Sequence, residues 1–328
     1  MTRHLITGGA GFIGASLVEA LVARGDQVTV LDDLSTGRRD NLAAVLDHPA
    51  VTFRHGSVLD EAVVDEAAAG CDTVVHLAAA VGVRLIVEQP LQSLTGNIRG
   101  AENVLAAADR HGCRFLVTSS SEIYGRNPQV PLAEDADRVL GSPTVARWAY
   151  STAKAVDEIL ALAYHREHGL AATVVRLFNT VGPRQRGDYG MVLPTLVGQA
   201  LDGAPLTVHG DGRQTRCFCH VEDVVGALLV LLDHPDSPGE VFNVGSEDEI
   251  AMVDLAHRIL ERTGSSSTIV LQPYEDAFGP DFEDMRRRVP DTGRLRRLTG
   301  WAPTRSLDQT IDDIIGVARL RRTAPAGR

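Results

Sequence analysis

A short apolar run, His4–Thr7, breaks into Gly8-Gly9-Ala10-Gly11-Phe12-Ile13-Gly14 and continues at once as an Ala-rich amphipathic stretch. Glycine is needed where a chain turns sharply from strand into helix, where backbone approaches a pyrophosphate, and where helix packs on strand. Such a turn also aims the unpaired N–H groups of the helix start at whatever anion lies above it. The next apolar run, Gln27–Leu31, is followed by Asp32, at the distance where a dinucleotide-binding unit carries an acid for the ribose hydroxyls. Gly8, Gly11, Gly14 and Asp32 therefore predict a strand–turn–helix–strand unit that holds a dinucleotide. A carboxylate at position 32 repels a 2′-phosphate, which favours NAD over NADP. Arg38 and Arg39, in the same loop, are the local argument for the phosphorylated cofactor.

The same alternation recurs. Val51–Arg54, Thr73–Leu77, Arg114–Ser119 and Thr173–Leu177 are continuous apolar runs, the mark of strands buried on both faces. Helical patterns at Ala15–Arg24, Asn97–His111 and Ser151–His168 separate them. The expected fold class is α/β, a Rossmann-type doubly wound parallel sheet, with a smaller α/β substrate-binding domain. Residues 1–178 form the NAD-binding domain on this reading, rejoined by about 217–247, and 179–216 with 248–328 form the smaller substrate-binding domain. With 44% hydrophobic residues and a net charge of −11, the 328-residue chain is an ordinary globular protein that opposes a nucleic-acid backbone. Four Cys make no disulfide framework, and no signal peptide or 18-residue apolar span is legible; a cytoplasmic protein without membrane or nucleic-acid partners is expected. Cys217 and Cys219 lack a second ligand pair and the eleven His form no HExxH, so no metal is expected.

Tyr150 and Lys154 lie four apart on one predicted helix face. A phenol with an ordinary pKa near 10 is a poor base at neutral pH, but a neighbouring ammonium and a nicotinamide cation favour phenolate, so a lowered value is expected.

With GGAGFIG, LDDLSTG, HLAA, SSSEIYG, YSTAK, RLFNTVGPR, PLTVHGDGRQTRCF and RRRVPD in this order, the chain resembles the extended short-chain dehydrogenase/reductase family. The likeness covers nearly the whole chain and points to the nucleotide-sugar epimerases, decarboxylases and dehydratases. It implies Ser120 on the reacting sugar hydroxyl, Tyr150 as acid/base, Lys154 on the nicotinamide ribose and Glu122 in chemistry beyond carbon 4. For the cofactor it implies Gly8, Gly11, Phe12, Ile13, Gly14 and Asp32, with Ser35, Thr36 and Gly37 in the following loop. Ser57, Val58, Leu77, Ala78, Ala79 and Asn97 complete that set with Tyr150 and Lys154. For a UDP-sugar it implies Ser120, Ser121, Asn179, Thr180, Arg186 and Val192, then Leu206, Thr207, Val208, His209, Arg216 and Arg287. A homodimer through the helices containing Asn97–His111 and Ser151–His168 follows from the resemblance, together with small residues at Ala106–Ala108, Ala161 and Ala163.

Two features divide the family's reactions. Ser121-Glu122 resembles the step found in decarboxylases and dehydratases, whereas Arg186 in GPRQRGDYG stands where uronate 4-epimerases carry an Arg for the substrate carboxylate. Weight given to Arg186, RWAYSTAK and NTVGPRQ makes the chain most similar to bacterial UDP-glucuronate 4-epimerases, including those of moenomycin-type antibiotic pathways. UDP-glucuronate decarboxylase and UDP-glucose 4-epimerase are the enzymatic alternatives. A non-catalytic nucleotide-sugar sensor is the alternative outside enzymes, opposed by intact Ser120, Tyr150 and Lys154.

Overall fold

The computed structural model describes residues 1–80, 90–185, 187, 191–279 and 283–323. In chain order, β1 (Arg3–Thr7), α1 (Phe12–Ala23), β2 (Gln27–Asp32), β3 (Val51–His55), α2 (Glu61–Ala68), β4 (Thr73–His76) and α3 (Pro90–Arg110) come first. β5 (Arg114–Ser120), α4 (Ala149–His168), β6 (Ala172–Leu177), β7 (Thr180–Val181), α5 (Val192–Leu201), β8 (Leu206–His209) and β9 (Thr215–Cys217) follow. β10 (Cys219–His220), α6 (Val221–Asp233), β11 (Val241–Val244), β12 (Glu249–Ala251), α7 (Met252–Thr263), β13 (Ile269–Gln272) and α8 (Tyr274–Phe278) precede β14 (Arg287–Arg288), α9 (Gly293–Thr299) and α10 (Leu307–Thr323).

Seven strands form one parallel sheet in the order β11-β6-β5-β4-β1-β2-β3. Each face buries its own apolar cluster. Leu17 and Leu21 of α1 and Val224, Leu228 and Leu231 of α6 pack with Ile6, Val30 and Val175 on one side. Val64 of α2, Val104 and Leu105 of α3 and Ala161 of α4 pack with Leu5, Val74 and Phe115 on the other. Because alternate residues of β1 feed opposite faces, the strand is apolar throughout, as its continuous pattern requires.

The chain winds outward from β1 in both directions, through β2 and through β4, so the loops after these strands part and leave a crevice at their carboxyl ends. Register places Thr7 beside both Leu31 and His76, which brings the Gly8 turn, Asp32 and Leu77 to one edge. A third cluster lies apart from the sheet. Leu193, Leu196, Val208, Leu255, Ile259, Ile311 and Ile314 join α5, α7 and α10 to β8.

Two features of the helices differ from the sequence pattern. The α3 helix begins at Pro90, a turn and more before Asn97. The short α2 helix, whose Asp60 cap accepts from the N–H groups of Ala62 and Val63, had no clear periodicity of its own. Ala107, Ala108 and Ala161, offered as interface residues, pack inside the protein's own core instead. No helix among the described residues is long and apolar enough to cross a membrane.

Candidate active site

A cavity of about 910 Å³ runs past the loops that follow β1, β2, β4, β5 and β6 and on to β8 and β9. Its first end is built from bare backbone. Gly8 has φ of +70°, and a Cβ there would lie 2.7 Å from the Ala78 nitrogen. A side chain on Gly14 would strike the Gly8 carbonyl, so the strand–helix turn closes only as glycine. Gly11 stands at the N-terminus of α1 with no side-chain cap among the described residues, leaving first-turn N–H groups directed at the cavity. Asp32 is buried; its Oδ2 accepts from Ala10 N and its Oδ1 from Leu34 N, both at 2.9 Å. Each oxygen keeps a lone pair for a ribose hydroxyl. Asn97 of α3 clamps the segment after β4, accepting from Ala80 N at 2.7 Å and donating to Ala80 O. Phe12, Ile13, Ser35, Thr36, Gly37, Ser57, Val58, Leu77, Ala78 and Ala79 line the same end. These residues fit a dinucleotide with a free ribose 2′-hydroxyl.

The middle of the cavity holds Ser120, Ser121 and Glu122 from the end of β5 and Tyr150 and Lys154 from α4. Ser120 and Tyr150 share this wall, and the Ser120 hydroxyl favours the phenolate. Burial pushes the Tyr150 phenol up, and the opposing pull of Lys154 does not overcome it. The expected lowering is thus absent in the protein by itself. Burial is the main cause, and the Glu122 and Asp157 carboxylates add to it; Lys154 Nζ donates to Asp157 Oδ2 at 3.0 Å, with both side chains at most 3% exposed. That carboxylate offsets part of the ammonium's field at the phenol. Behind the site, His76 hydrogen-bonds Thr7 through Nδ1 at 2.8 Å, and burial lowers its pKa to about 3, so it stands neutral.

Glu122 is almost fully enclosed. Arg147 Nη1 lies 2.7 Å from its Oε2 and Arg288 Nη2 lies 2.7 Å from its Oε1. Burial works against its charge, but the two guanidinium groups outweigh it and hold the carboxyl well below the usual range. The glutamate is therefore an anion locked between two cations.

Beyond it lie Asn179, Thr180, Val192, Val208, His209 and Arg216. Asn179 sits at φ of +26° and donates to Cys217 O at 2.8 Å, which turns the chain from β6 toward β9. Thr180 Oγ1 is buried with no hydrogen-bond partner among the described residues.

Three expected substrate residues do not line this cavity. Leu206 is wholly buried in the third cluster, and Thr207 is engaged by Gln199 through both its N–H and its hydroxyl. Arg287 points outward and pairs with Glu249, because strand alternation in β14 turns Arg288 inward instead. Arg186 lies outside the described residues. Arg147, Asp157 and Asp284 went unread; their signals were an Arg three before Tyr150, an acid three after Lys154, and an acid just before the Arg run. Among the described residues no cluster could hold a metal ion, and all four Cys are free.

Residues 4–245 match the NAD dependent epimerase/dehydratase family. The chain is 38% identical to the UDP-N-acetyl-alpha-D-glucosaminuronate decarboxylase of Bacillus cytotoxicus over 95% of its length and 96% of that protein's. It is 35% identical to UDP-glucuronic acid decarboxylase 3 of Arabidopsis thaliana, over 98% and 91% of the two chains. The UDP-glucose 4-epimerase of Thermus thermophilus in complex with NAD superposes with a TM-score of 0.85 at 29% identity, covering 97% of this chain and 99% of that one. Matched along nearly its whole length by nucleotide-sugar epimerases and decarboxylases, and built around a glycine turn and Asp32 that suit NAD, the chain belongs to the NAD dependent epimerase/dehydratase family.

Proposed function

We propose that the protein oxidises a UDP-hexuronate at carbon 4 and releases its carboxylate as carbon dioxide, giving a UDP-pentose. The observation that carries this reading is Glu122, held ionised between Arg147 and Arg288 on the wall shared with Ser120 and Tyr150.

Held by the Gly8 turn and Asp32, NAD would supply the acceptor for hydride from carbon 4, the source that returns it once carbon dioxide is lost, and a positive charge beside Tyr150. The chain does the rest. Tyr150, on the same wall as Ser120, takes the proton of the 4-hydroxyl. The resulting 4-ketone is a β-keto acid, and loss of carbon dioxide moves negative charge from carbon 6 onto the carbonyl oxygen, where the hydroxyls of Ser120 and the reprotonated Tyr150 can donate to it. Carbon 5 then takes a proton, and as hydride returns to carbon 4 Tyr150 gives its proton back to the 4-oxygen, which reverses the oxidation and leaves the UDP-pentose. Arg147 and Arg288 attract the uronate, but a carboxylate fully paired with two guanidinium groups would be stabilised in the ground state and resist cleavage. Glu122 half-neutralises both, so binding falls more than the transition state suffers. Plain 4-epimerisation of a neutral sugar has no use for such an anion. The names of the Bacillus and Arabidopsis relatives point the same way.

The second reading is 4-epimerisation of the same uronate, favoured by Arg186 in GPRQRGDYG and by the likeness to the Thermus epimerase. There a carboxylate held in the plane of the ketone by Arg would be kept. Product mass separates the two. UDP-glucuronate and its N-acetylglucosamine counterpart are incubated with the NAD-loaded protein; a product lighter by one carbon dioxide supports decarboxylation, and an isomer of unchanged mass refutes it in favour of epimerisation. We also propose a homodimer through α3 and α4, whose outer faces expose Leu91 and Ile159.

A further inference from the structure

Beyond Glu122 the cavity wall carries a second, connected set of charges. Asp284 Oδ2 accepts from Arg216 Nη2 at 2.7 Å and from the Tyr274 hydroxyl at 3.1 Å. Its other oxygen accepts from the N–H of Met285 at 2.9 Å and lies 3.9 Å from Arg147 Nη2. The next residue back, Glu283, accepts from Trp148 Nε1 and from Arg126 Nη1, each at 2.9 Å. Two consecutive carboxylates thus hold Arg147 and Trp148, the two residues immediately before α4 and its Tyr150. The set Arg216–Asp284–Arg147–Glu122–Arg288 contains three guanidinium groups and two carboxylates, leaving one net positive charge facing the cavity. Arg216 has both terminal nitrogens engaged, Nη1 by Thr215 O and Nη2 by Asp284. Any diphosphate that reaches the β8–β9 end of the cavity must compete with Asp284 for Arg216. Once displaced, the nearest remaining cation to Asp284 is Arg147.

We propose that Asp284 is a positioning residue that stands in for the substrate's diphosphate at Arg216 and, when displaced by it, turns onto Arg147 and relaxes that residue's hold on Glu122. The proposal rests on the nucleoside-diphosphate-sugar reading of the site. It makes the anion beside the sugar respond to occupation of the nucleotide end: Glu122 is gripped on both sides while that end is free and on the Arg288 side once it is filled. A truncated ligand without the diphosphate would bind beside a Glu122 still fully clamped.

The test is Asp284→Asn in the NAD-loaded full chain, which keeps size and a hydrogen-bond acceptor but removes the competing charge. Calorimetry with UDP alone should show about five- to tenfold tighter binding than the wild type, because Arg216 is released. Turnover of the UDP-sugar should fall about tenfold, because nothing then shifts Arg147. A merely structural residue would weaken UDP binding and turnover together. Equal or weaker UDP binding by a folded variant overturns the proposal. If Asp284→Asn does not fold, Tyr274→Phe removes only one hydroxyl that steadies Asp284, and should tighten UDP about twofold; no change or weakening there overturns it equally. If the wild type itself does not bind UDP, the nucleotide-sugar reading fails and the proposal with it. If the wild type binds and the variants do not tighten, the proposal fails alone.

Discussion

Replacing Glu122 with Gln isolates one charge at the centre of the site. The side chain is 11% exposed and its two partners, Arg147 and Arg288, are 4% and 7% exposed, so both ion pairs at 2.7 Å are poorly screened. Removing one member of a buried pair costs about 3–5 kcal/mol, chiefly because the survivors stay buried without compensation. Gln retains an acceptor and Asp284 lies 3.9 Å from Arg147, so the lower end applies, about 3 kcal/mol. That corresponds to a melting temperature lower by about 5 °C. The sign with pH follows from the depressed carboxyl: its contribution is fully present above the ordinary carboxylate range and lost only as pH falls through the lower folded value. The stability gap between wild type and Glu122→Gln should therefore be constant between about pH 6 and 8 and close only in strong acid. Kinetics add an independent sign. Two guanidinium groups without Glu122 should bind a UDP-uronate about tenfold tighter and release carbon dioxide about 100-fold more slowly. Thermal denaturation across pH, together with single-turnover assays, reads both. A variant with wild-type melting and wild-type turnover, or one that binds the uronate more weakly, would refute the reasoning.

Three further outcomes are expected. Tyr150→Phe should keep UDP-sugar affinity while losing about 10²–10⁴-fold in turnover, since it deletes the proton-transferring hydroxyl and little volume; a near-normal rate would show that another group moves the proton. Protein denatured after purification should release NAD(H), and Asp32→Ala should release far less; activity that needs added NADP instead would defeat the role given to Asp32. Light scattering at micromolar concentration should report a dimer mass, reduced to that of one chain by Ile159→Lys on the exposed face of α4, and a wild-type protein of single-chain mass would count against the α3–α4 interface.

The parallel sheet was legible because its inner strands are buried on both faces and carry unbroken apolar runs, as Leu5, Ile6, Val74 and Val75 show, whereas the edge strand β3 is only partly covered. The cofactor end was legible for a related reason: Gly8, Gly14 and Asp32 answer local backbone demands that act within a few residues. What escaped was long-range. Arg147 reaches Glu122 from the segment before α4, and Asp284 reaches Arg216 beside the β14–β9 pairing, contacts between residues far apart in sequence. The choice of Arg287 over Arg288 failed on a single step of strand alternation, which places neighbouring Arg on opposite faces and leaves no trace in composition. Leu206 and Thr207 failed likewise, since β8 presents Val208 and His209 to the cavity while its first residue serves the core.

The pairing of Lys154 with Asp157 bears on how such a protein waits between encounters. A free, electron-rich phenolate in an open cleft would be vulnerable to stray electrophiles. Here the lysine's charge is spent internally and the phenol stays capped by its own proton. On the proposed mechanism reactivity would come with the positive charge of NAD rather than be stored in the polypeptide, so a chain without its cofactor would fall silent instead of misfiring.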